Sequence, residues 1–485
     1  MGFDTIVIGA GIGGLFAAAK LARSGRKVVV LEANPHIGGT SYLFRRGRYS
    51  FPMGPLSFGF PGRVESFLED AGVGGGIQFR RNHFQLVAPG LDIVYSQPLA
   101  ALEKELGGLF PGQVEGLRQV FAELDEILGA AGPGADPSAA AEPLQAWAAE
   151  SARAFLEARI SDSALRNLIG SMGTQAPDMS LLNLALMWRV MSEVGIWFPS
   201  TGIHGLCRRL AAAVGFSGGQ VRIGEPVARI LVAGGRAAGV RTASGAELRA
   251  GHIVSNADYK KTFLELIAPD DVPPDHLAAV RDAPYTGSEL CVYCGVDPGR
   301  IDFRRMRATH LFYRKDIRPE TDGGTDDFDN KEVEICRFSD NAPDAVPPGR
   351  ASLILRVPYP YEAAARWLSG DKKRTAGYGR EKIRLAWKLI RTADSILPGL
   401  AGAVEIMNAA TPLTYRDWGR RTLGSIAGWS WTPATAAAFP DQLLVRTPVE
   451  GLFAAGIYAA RELFLGGVPT ALFTGGLAAD LILRP

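Results

Sequence analysis

Four glycines near the start of the sequence have the spacing of a phosphate-binding turn. They are Gly9, Gly11, Gly13 and Gly14. In such a turn the first glycine permits a tight bend, Gly11 lets the backbone approach a diphosphate, and Gly14 lets the following helix pack close to a strand. The helix N-terminus offers N–H groups and partial positive charge to an anion. These residues predict a site for the diphosphate of a dinucleotide.

An acidic residue follows the glycine turn at the spacing that ribose recognition requires. Glu32 comes directly after the apolar run Lys27-Val-Val-Val-Leu31. Its carboxylate is placed to accept hydrogen bonds from a ribose 2′-hydroxyl, and it would repel a 2′-phosphate. A non-phosphorylated adenine dinucleotide is therefore implied, and this segment leaves FAD and NAD open.

Hydrophobic patterning predicts the elements that hold these residues. Thr5-Ile-Val-Ile8 predicts a buried strand, Gly13 to Ser24 predicts a helix, and Lys27 to Leu31 predicts a second strand. Together they form one strand–helix–strand unit. The region from Gln220 to Asp258 alternates short strand patterns with glycine-containing turns, which predicts a β-meander.

A second glycine pair follows Glu32. The run Glu32-Ala-Asn-Pro-His-Ile-Gly-Gly-Thr40 contains Ala33, Gly38, Gly39 and Thr40. Its glycines allow close backbone approach to phosphate and ribityl groups. The run resembles the second FAD signature of the amine-oxidase and phytoene-desaturase superfamily. This resemblance implies FAD as the cofactor, with these four residues among its contacts.

Three further stretches extend the resemblance over most of the chain, towards the branch that contains phytoene desaturases, carotenoid isomerases and retinol saturases. They are Gly47 to Pro55, Val221 to Asp258, and Gly451 to Gly456 with the following Gly466 to Thr470. In relatives the second stretch holds the adenine end of FAD and the third is the C-terminal flavin motif. The cofactor contacts that the resemblance implies here are Val227, Asn256, Gly456, Gly467, Val468 and Pro469.

The C-terminal motif also has a physical interpretation of its own. A Gly-Gly-Val-Pro turn entering a helix offers close backbone approach and a helix dipole to developing negative charge. Pro469 in the first helical turn costs no hydrogen bond. Two positions depart from the family pattern, since Pro52 and Ile457 stand where relatives often carry Asp.

The patterns predict an α/β protein. The resemblance implies that a discontinuous Rossmann-type FAD-binding domain carries an inserted, mixed α+β substrate-binding domain. We assign residues 1–95, 220–265 and 415–485 to the FAD-binding domain. Residues 96–219 and 266–414 are assigned to the substrate-binding domain. A chain of 485 residues has room for two such units.

The resemblance implies an FAD-dependent oxidoreductase that acts on C–C or C=C bonds of an isoprenoid or polyene lipid. Desaturation, saturation and cis/trans isomerisation, with hydride transfer at flavin N5, remain open, as does oxygen or a quinone as electron acceptor. Amine oxidation and a non-catalytic prenyl-lipid carrier are alternatives on the same fold. We name Tyr415, Arg416 and Glu462 as candidate catalytic proton donors or acceptors.

Two apolar stretches are candidates for the substrate pocket. Trp429 and Trp431 lie just before the flavin motif, and the run Leu181 to Phe198 is rich in large apolar residues. Both stretches suit either a hydrophobic substrate wall or core packing. Peripheral membrane contact also stays open, with Arg45 to Arg48 and Arg304 to Arg307 as basic clusters.

Composition excludes several classes. A net charge of +2, from 52 basic and 50 acidic residues, gives no general attraction for nucleic acid. The four cysteines are too few for a disulfide framework, so we expect a cytoplasmic protein. Cys291 and Cys294 lie in a strand-like run without a second pair, so we interpret them as core residues and expect no metal site. Charges and a proline between Asn183 and Ile203 prevent this segment from spanning a bilayer as one helix.

Overall fold

The computed structural model describes residues 2–95, 98–131, 137–171, 179–315, 324–461 and 466–484. Within these ranges the predicted α/β fold is confirmed, with two large sheets and helices packed against them. The strands are β1 (Phe3–Ile8), β2 (Val28–Leu31), β3 (Leu43–Arg46), β4 (Tyr49–Pro52), β5 (Phe79–Asn82), β6 (Phe84–Ala88), β7 (Leu91–Tyr95), β8 (Ile196–Pro199), β9 (Gln220–Arg222), β10 (Val227–Ala233), β11 (Arg236–Thr242), β12 (Glu247–Ser255), β13 (Glu289–Val296), β14 (His310–Tyr313), β15 (Val333–Arg337), β16 (Ala351–Pro358), β17 (Val404–Ala410) and β18 (Leu452–Ala454).

The helices of the described ranges vary from single turns to seventeen residues. They are α1 (Ile12–Arg23), α2 (Pro61–Asp70), α3 (Leu99–Leu109), α4 (Val114–Ala130), α5 (Pro137–Ala149), α6 (Ala152–Arg159), α7 (Ser163–Ser171), α8 (Leu181–Arg189), α9 (Ile203–Phe216), α10 (Tyr259–Lys261), α11 (Pro274–Asp282), α12 (Tyr361–Ala365), α13 (Tyr378–Asp394), α14 (Leu400–Ala403), α15 (Pro412–Trp418), α16 (Pro433–Ala438) and α17 (Gly467–Leu483).

The first sheet contains the predicted strand–helix–strand unit. Its parallel strands run in the order β18, β12, β1, β2 and β9. The predicted meander is confirmed, because β10, β11 and β12 pair antiparallel and extend the sheet. Every side chain of β2 is buried, as expected for a parallel strand whose two faces are covered.

Two glycines of α17 set its distance from α1. A Cβ atom on Gly475 would lie 2.2 Å from the carbonyl oxygen of Gly13, and one on Gly476 would lie 2.8 Å from the ring of Phe16. The two helices therefore pack backbone to backbone. This contact holds the N-terminal turn and the C-terminal segment, far apart in sequence, side by side.

The second sheet has the order β17, β13, β16, β15, β14, β6 and β7. All its pairs are antiparallel except β14 with β6. Every residue of β13 is buried, since the strand lies inside the sheet and both faces are covered. Helices α3, α4, α6 and α8 form an apolar core of their own beside β6.

The strand pair β6–β7 and helix α9 each pack with a different domain from the one predicted for their residues. The predicted FAD-binding segment runs to residue 95, whereas β6 and β7 pair with the second sheet. Helix α9 falls in a segment assigned to the substrate domain, yet it packs against α1 and precedes β9 of the first sheet. Strand pairing decides the placement of β6 and β7, and packing against α1 decides that of α9. The patterning of a single strand or helix does not reveal its partner. The remaining boundaries stay a prediction.

The apolar run from Leu181 to Phe198 is divided into α8, a π-helical turn at Val190–Val194 and strand β8. Among the described residues, we find no helix with the length and apolar character needed to cross a membrane. The four cysteines are free and buried, and Cys291 and Cys294 lie in β13 as predicted. The described ranges contain no cluster of three or more potential His, Cys, Asp or Glu metal ligands.

Candidate functional site

A cavity of about 630 Å³ lies where β1 and β2 end. Its walls come from the first sheet, the second sheet, α8 and the segments around α15 and α17. The carboxyl ends of parallel strands are where α/β sheets bind ligands. The predicted residues that line this cavity are Gly9, Gly11, Gly13, Glu32, Ala33, Gly38, Gly39, Thr40, Val227, Asn256, Tyr415, Gly456, Gly467 and Val468.

The glycine turn after β1 leads directly into α1. Gly9 has a φ of +94°, a backbone conformation that favours glycine. A Cβ atom on Gly14 would lie 2.4 Å from the carbonyl oxygen of Gly9, so Gly14 serves close packing and does not line the cavity. Helix α1 begins after Gly11 without a side-chain cap and without an acidic residue in its first turn. Its terminal N–H groups can therefore bind an anion.

Glu32 is held rigidly beside this turn. The backbone N–H of Ala10 donates to its Oε2 atom over 2.7 Å, and the N–H of Asn34 donates to Oε1 over 2.8 Å. The residue is buried. Each oxygen keeps a further lone pair, so the carboxylate can still accept hydrogen bonds from a ribose at the cavity surface.

Asn256, directly after β12, fills the space between glycines of two segments. A Cβ atom on Gly11 would lie 2.7 Å from its Nδ2 atom, and Cβ atoms on Gly13 and Gly456 would lie 2.9 and 2.6 Å from its Oδ1 atom. Glycine at these positions makes room for the amide. Asn256 thus holds the N-terminal and C-terminal parts of the cavity wall in register.

The second glycine pair closes over the first turn. The N–H of Gly38, which has a φ of +103°, donates to the carbonyl of Ala10 over 2.8 Å. The hydroxyl of Thr40 accepts a hydrogen bond from Arg421 over 3.0 Å. The loop after α15 therefore reaches back to the glycine pair.

This loop contributes positive charge to the cavity. Arg420 and Arg421 both line it, and the Nε atom of Arg420 lies 3.5 Å from Oδ1 of Asn34. Arg421 also donates to the carbonyls of Ser425 and Ile426. The two arginines place guanidinium groups beside the turns that offer backbone N–H groups, which is the arrangement that a diphosphate requires.

Helix α17 presents a second free N-terminus to the cavity. It follows Gly466 without a side-chain cap, and its first turn contains no acidic residue. Gly467 and Val468 line the cavity, whereas Pro469 is buried in the first turn and does not line it. Ile457, one of the two departures from the family pattern noted in the sequence, also lines the cavity.

Tyr415 lies on a polar part of the cavity wall. Helix α15 begins at Pro412 with a capping box between Thr411 and Thr414, which stabilises the first turn of the helix that carries the tyrosine. The Tyr415 hydroxyl donates to Oε1 of Glu289 over 2.5 Å, and both residues are buried. Burial and the nearby Glu289 raise the pKa of Tyr415 well above its ordinary value, so the phenol keeps its proton.

Arg356 of β16 completes this polar wall. Its Nε atom lies 3.7 Å from Oε1 of Glu289, and its Nη1 atom lies 3.7 Å from Oε2 of Glu334. Its Nη2 atom donates to the carbonyl of Gly54. Burial opposes the charge of the guanidinium, but Glu289 and Glu334 hold the pKa of Arg356 well above its ordinary value.

A third part of the wall is apolar. Side chains from α8 and the π-helical turn line it together with Trp431, whereas Trp429 is buried against Tyr285 and donates its indole N–H to the carbonyl of Tyr458. Of the two tryptophans, Trp429 is therefore a packing residue and Trp431 a wall residue. The apolar wall consists of Leu186, Met187, Val190, Met191 and Trp431.

The three catalytic candidates have different positions. Tyr415 lines the cavity, and Arg416 pairs with Asp417 and donates to the carbonyl of Lys372 without lining it. Glu462 lies outside the described residues. Glu289 and Arg356 were missed because they come from strands whose sequences show only a buried sheet. The loop residues Arg420 and Arg421 were also missed. Two adjacent arginines close to Tyr415 in sequence were the signal that could have pointed to them.

The geometry fits a dinucleotide cofactor on three counts. The N-termini of α1 and α17 are uncapped at the cavity, the Glu32 carboxylate is fixed beside the first of them, and the arginine loop adds positive charge. These are the groups that bind a diphosphate and a ribose.

Comparisons with known proteins agree with this geometry. The model of the flavin containing amine oxidoreductase family matches residues 12–483. The chain is 26% identical to a prolycopene isomerase of Daucus carota, over 99% of this chain and 80% of that protein. It is 27% identical to a zeta-carotene-forming phytoene desaturase of Myxococcus xanthus, over 85% and 81% of the two chains. It is 23% identical to an all-trans-retinol 13,14-reductase of Danio rerio, over 99% and 86%.

Solved structures share the fold at lower identity. A putrescine oxidase bound to putrescine superimposes with a TM-score of 0.68 at 17% identity, covering 100% of both chains. A cyclohexylamine oxidase of Brevibacterium oxydans gives a TM-score of 0.64 at 19% identity, again over 100% of both chains. The chain is therefore an FAD-dependent oxidoreductase that belongs to the flavin containing amine oxidoreductase family.

Proposed function

We propose that this oxidoreductase acts on C–C or C=C bonds of an isoprenoid or polyene lipid, by desaturation, saturation or cis/trans isomerisation. The observation that carries the proposal is the apolar wall, which α8 and its π-helical turn present to the same cavity as the dinucleotide-binding residues. The named activities of the carotenoid and retinol relatives support the same substrate class.

FAD, when bound, supplies two-electron oxidation and reduction to this cavity. The protein's own contribution is to position a hydrocarbon chain and to exclude water. Met187 and Met191 suit this task, because flexible thioether side chains adapt to irregular apolar ligands. Leu186, Val190 and Trp431 add apolar surface, and a dry wall protects a reaction at an unactivated carbon.

Proton movement is proposed for Tyr415. Its Oη atom holds a proton in a short hydrogen bond to Oε1 of Glu289, within the cavity wall. The phenol could donate its proton to a substrate carbon, which leaves a phenolate that must be reprotonated from solvent before the next turnover. In the reverse direction it could accept a proton from a substrate carbon while it passes its own proton to Glu289. Arg416 is a weaker candidate, since its guanidinium is paired outside the cavity.

The direct test is incubation of the purified, flavin-loaded protein with polyenes under three conditions, namely with oxygen, with a quinone, and after anaerobic reduction. Chromatography should show a polyene that has lost or gained two hydrogens or has changed its double-bond geometry. Putrescine and cyclohexylamine serve as comparison substrates. Consumption of an amine without any change in the polyenes would replace the proposal with amine oxidation.

A further inference from the structure

The polar wall, formed by Glu289, Arg356 and Tyr415, has more charged and hydrogen-bonding groups than a hydrocarbon substrate requires. All three residues line the cavity that also contains the apolar wall. Glu289 and Tyr415 are buried, and the side chain of Arg356 is 17% exposed. A charged pair at the surface of a dry pocket is costly unless its polar atoms find partners.

Arg356 has hydrogen-bonding capacity that the protein leaves unused. A guanidinium has several N–H donors in a planar fork. Among the oxygen atoms of the described residues, only the carbonyl of Gly54 accepts a hydrogen bond from it. Its Nε atom makes no hydrogen bond within the part of the chain that the structure describes, but it is fully buried, so a ligand in the cavity can reach the guanidinium only at its Nη atoms. The 3.7 Å separations from Glu289 and Glu334 exceed hydrogen-bonding distance.

Glu289 is only partly satisfied as well. Tyr415 donates to its Oε1 atom, and no other hydrogen bond to this carboxylate exists within the described ranges. A carboxylate accepts at both oxygens, so the Oε2 atom retains its full capacity. The wall therefore presents an unused acceptor on Glu289 near unused donors on Arg356.

The arginine is prevented from turning away. Glu334 faces it from the neighbouring strand β15, and the Nδ1 atom of His310 donates to Oε1 of Glu334 over 2.9 Å. Burial alone would raise the pKa of Glu334, but Arg356 and His310 keep it below its ordinary value. The ionised Glu334 thus holds the guanidinium in place at the cavity surface.

From this arrangement we infer that the substrate carries a hydroxyl group, which donates to Glu289 and accepts from Arg356. The inference rests on the proposed function and narrows its substrate class to isoprenoid alcohols. A hydroxyl both donates and accepts, as the wall requires. A substrate carboxylate would be repelled by Glu289, and a substrate ammonium would be repelled by Arg356. A hydrocarbon would displace water from both groups and leave the Oε2 atom of Glu289 and the remaining donors of Arg356 without partners.

The test compares binding of matched alcohols and hydrocarbons to the flavin-loaded protein. The pairs are β-cryptoxanthin with β-carotene, retinol with deoxyretinol, and farnesol with its deoxy analogue. Dissociation constants are measured by equilibrium dialysis with the ligands quantified by chromatography. In at least one pair the alcohol should bind about tenfold more tightly, the preference expected of hydrogen bonds to charged groups.

Variants test whether the preference for the alcohol depends on Glu289 and Arg356. Glu289→Gln and Arg356→Lys should each reduce the alcohol preference towards equality while the hydrocarbon constants change little. Arg350→Gln is the control, because it breaks an arginine–glutamate pair with Glu405 that does not line the cavity, and it should keep the preference. Flavin content and far-ultraviolet circular dichroism report folding for each protein.

The wild-type measurement decides the inference even if a variant does not fold. Equal binding of alcohol and hydrocarbon in every pair would overturn the inference and leave the proposed function standing. Failure to bind any member of the three pairs would overturn both. A preference that survives both variants would place the hydroxyl elsewhere and overturn the assignment to this wall.

Discussion

The phenol of Tyr415 and the carboxylate of Glu289 are joined by a 2.5 Å hydrogen bond across 126 positions of the sequence. The tyrosine comes from α15 and the glutamate from the first position of β13. Both belong to the cavity wall, so the bond connects a proton-bearing group with the second sheet at the place where we propose that the substrate binds.

Tyr415→Phe removes the proton that we assign to the reaction. We expect turnover of a polyene substrate to fall by about a hundredfold, with flavin content unchanged. Tyr293→Phe is the matched control, because Tyr293 is a buried phenol on β13 that does not line the cavity. The effect is measured as steady-state rates with a polyene that the incubation test shows to react. Equal rates in both variants would remove Tyr415 from the reaction.

Glu32→Ala should yield protein that has largely lost its flavin. The substitution removes the ribose acceptor and leaves the N–H groups of Ala10 and Asn34 without their partner. Absorbance near the flavin maximum per mole of purified protein is the measurement. Glu247→Ala, at a partly exposed carboxylate on β12 of the same sheet, should retain full flavin. Retention by Glu32→Ala would contradict the assigned ribose site.

Arg421→Ala should weaken flavin retention. Its guanidinium holds Thr40 of the glycine pair and two carbonyls of its own loop, and it adds positive charge to the cavity. We expect the dissociation constant of FAD to rise about tenfold or more, measured by flavin fluorescence after dialysis. Arg384→Ala, which removes a surface arginine paired with Asp326 and Glu381, provides the comparison.

Gly475→Ala should destabilise the protein and release flavin. The new Cβ would collide with the carbonyl of Gly13 and push α17 away from α1, at a cost of about 1 to 3 kcal/mol in the free energy of unfolding. Gly129→Ala should instead raise the free energy of unfolding, because the last turn of α4 has open space there and alanine is the better helix former. Urea denaturation of both variants distinguishes the effects.

The buried thiols should be unreactive in the folded protein. Burial raises the pKa of Cys207 and Cys291 to about 12 each, so both are protonated at neutral pH. The unfolded chain ionises these groups at lower pH, and their contribution to folding is therefore lost as pH rises from about 9 towards 12. A thiol reagent should label them only after denaturation, and the free energy of unfolding should fall in alkaline buffer. Rapid labelling of native protein would contradict their placement.

The sequence alone predicted where the cofactor binds. Gly9, Gly11 and Glu32 lie within one strand–helix–strand unit, and their roles follow from local geometry: a bend, a close backbone approach and a carboxylate at a strand end. Short-range patterns of this kind need no knowledge of distant partners. The meander was predicted for the same reason, whereas the second glycine pair was assigned to FAD through the resemblance to the amine-oxidase and phytoene-desaturase superfamily.

The substrate end was decided by the tertiary structure. Trp431 and Arg421 line the cavity, whereas Trp429 and Arg416 do not. Each pair is close in sequence, so only the helix packing and the direction of the loop decide which member reaches the cavity. The polar wall joins Glu289 and Arg356 from paired strands with Tyr415 from a helix. A buried strand reads only as apolar patterning, so the partners of its few charged residues become visible only when the strands are paired and the sheet is packed against its helices.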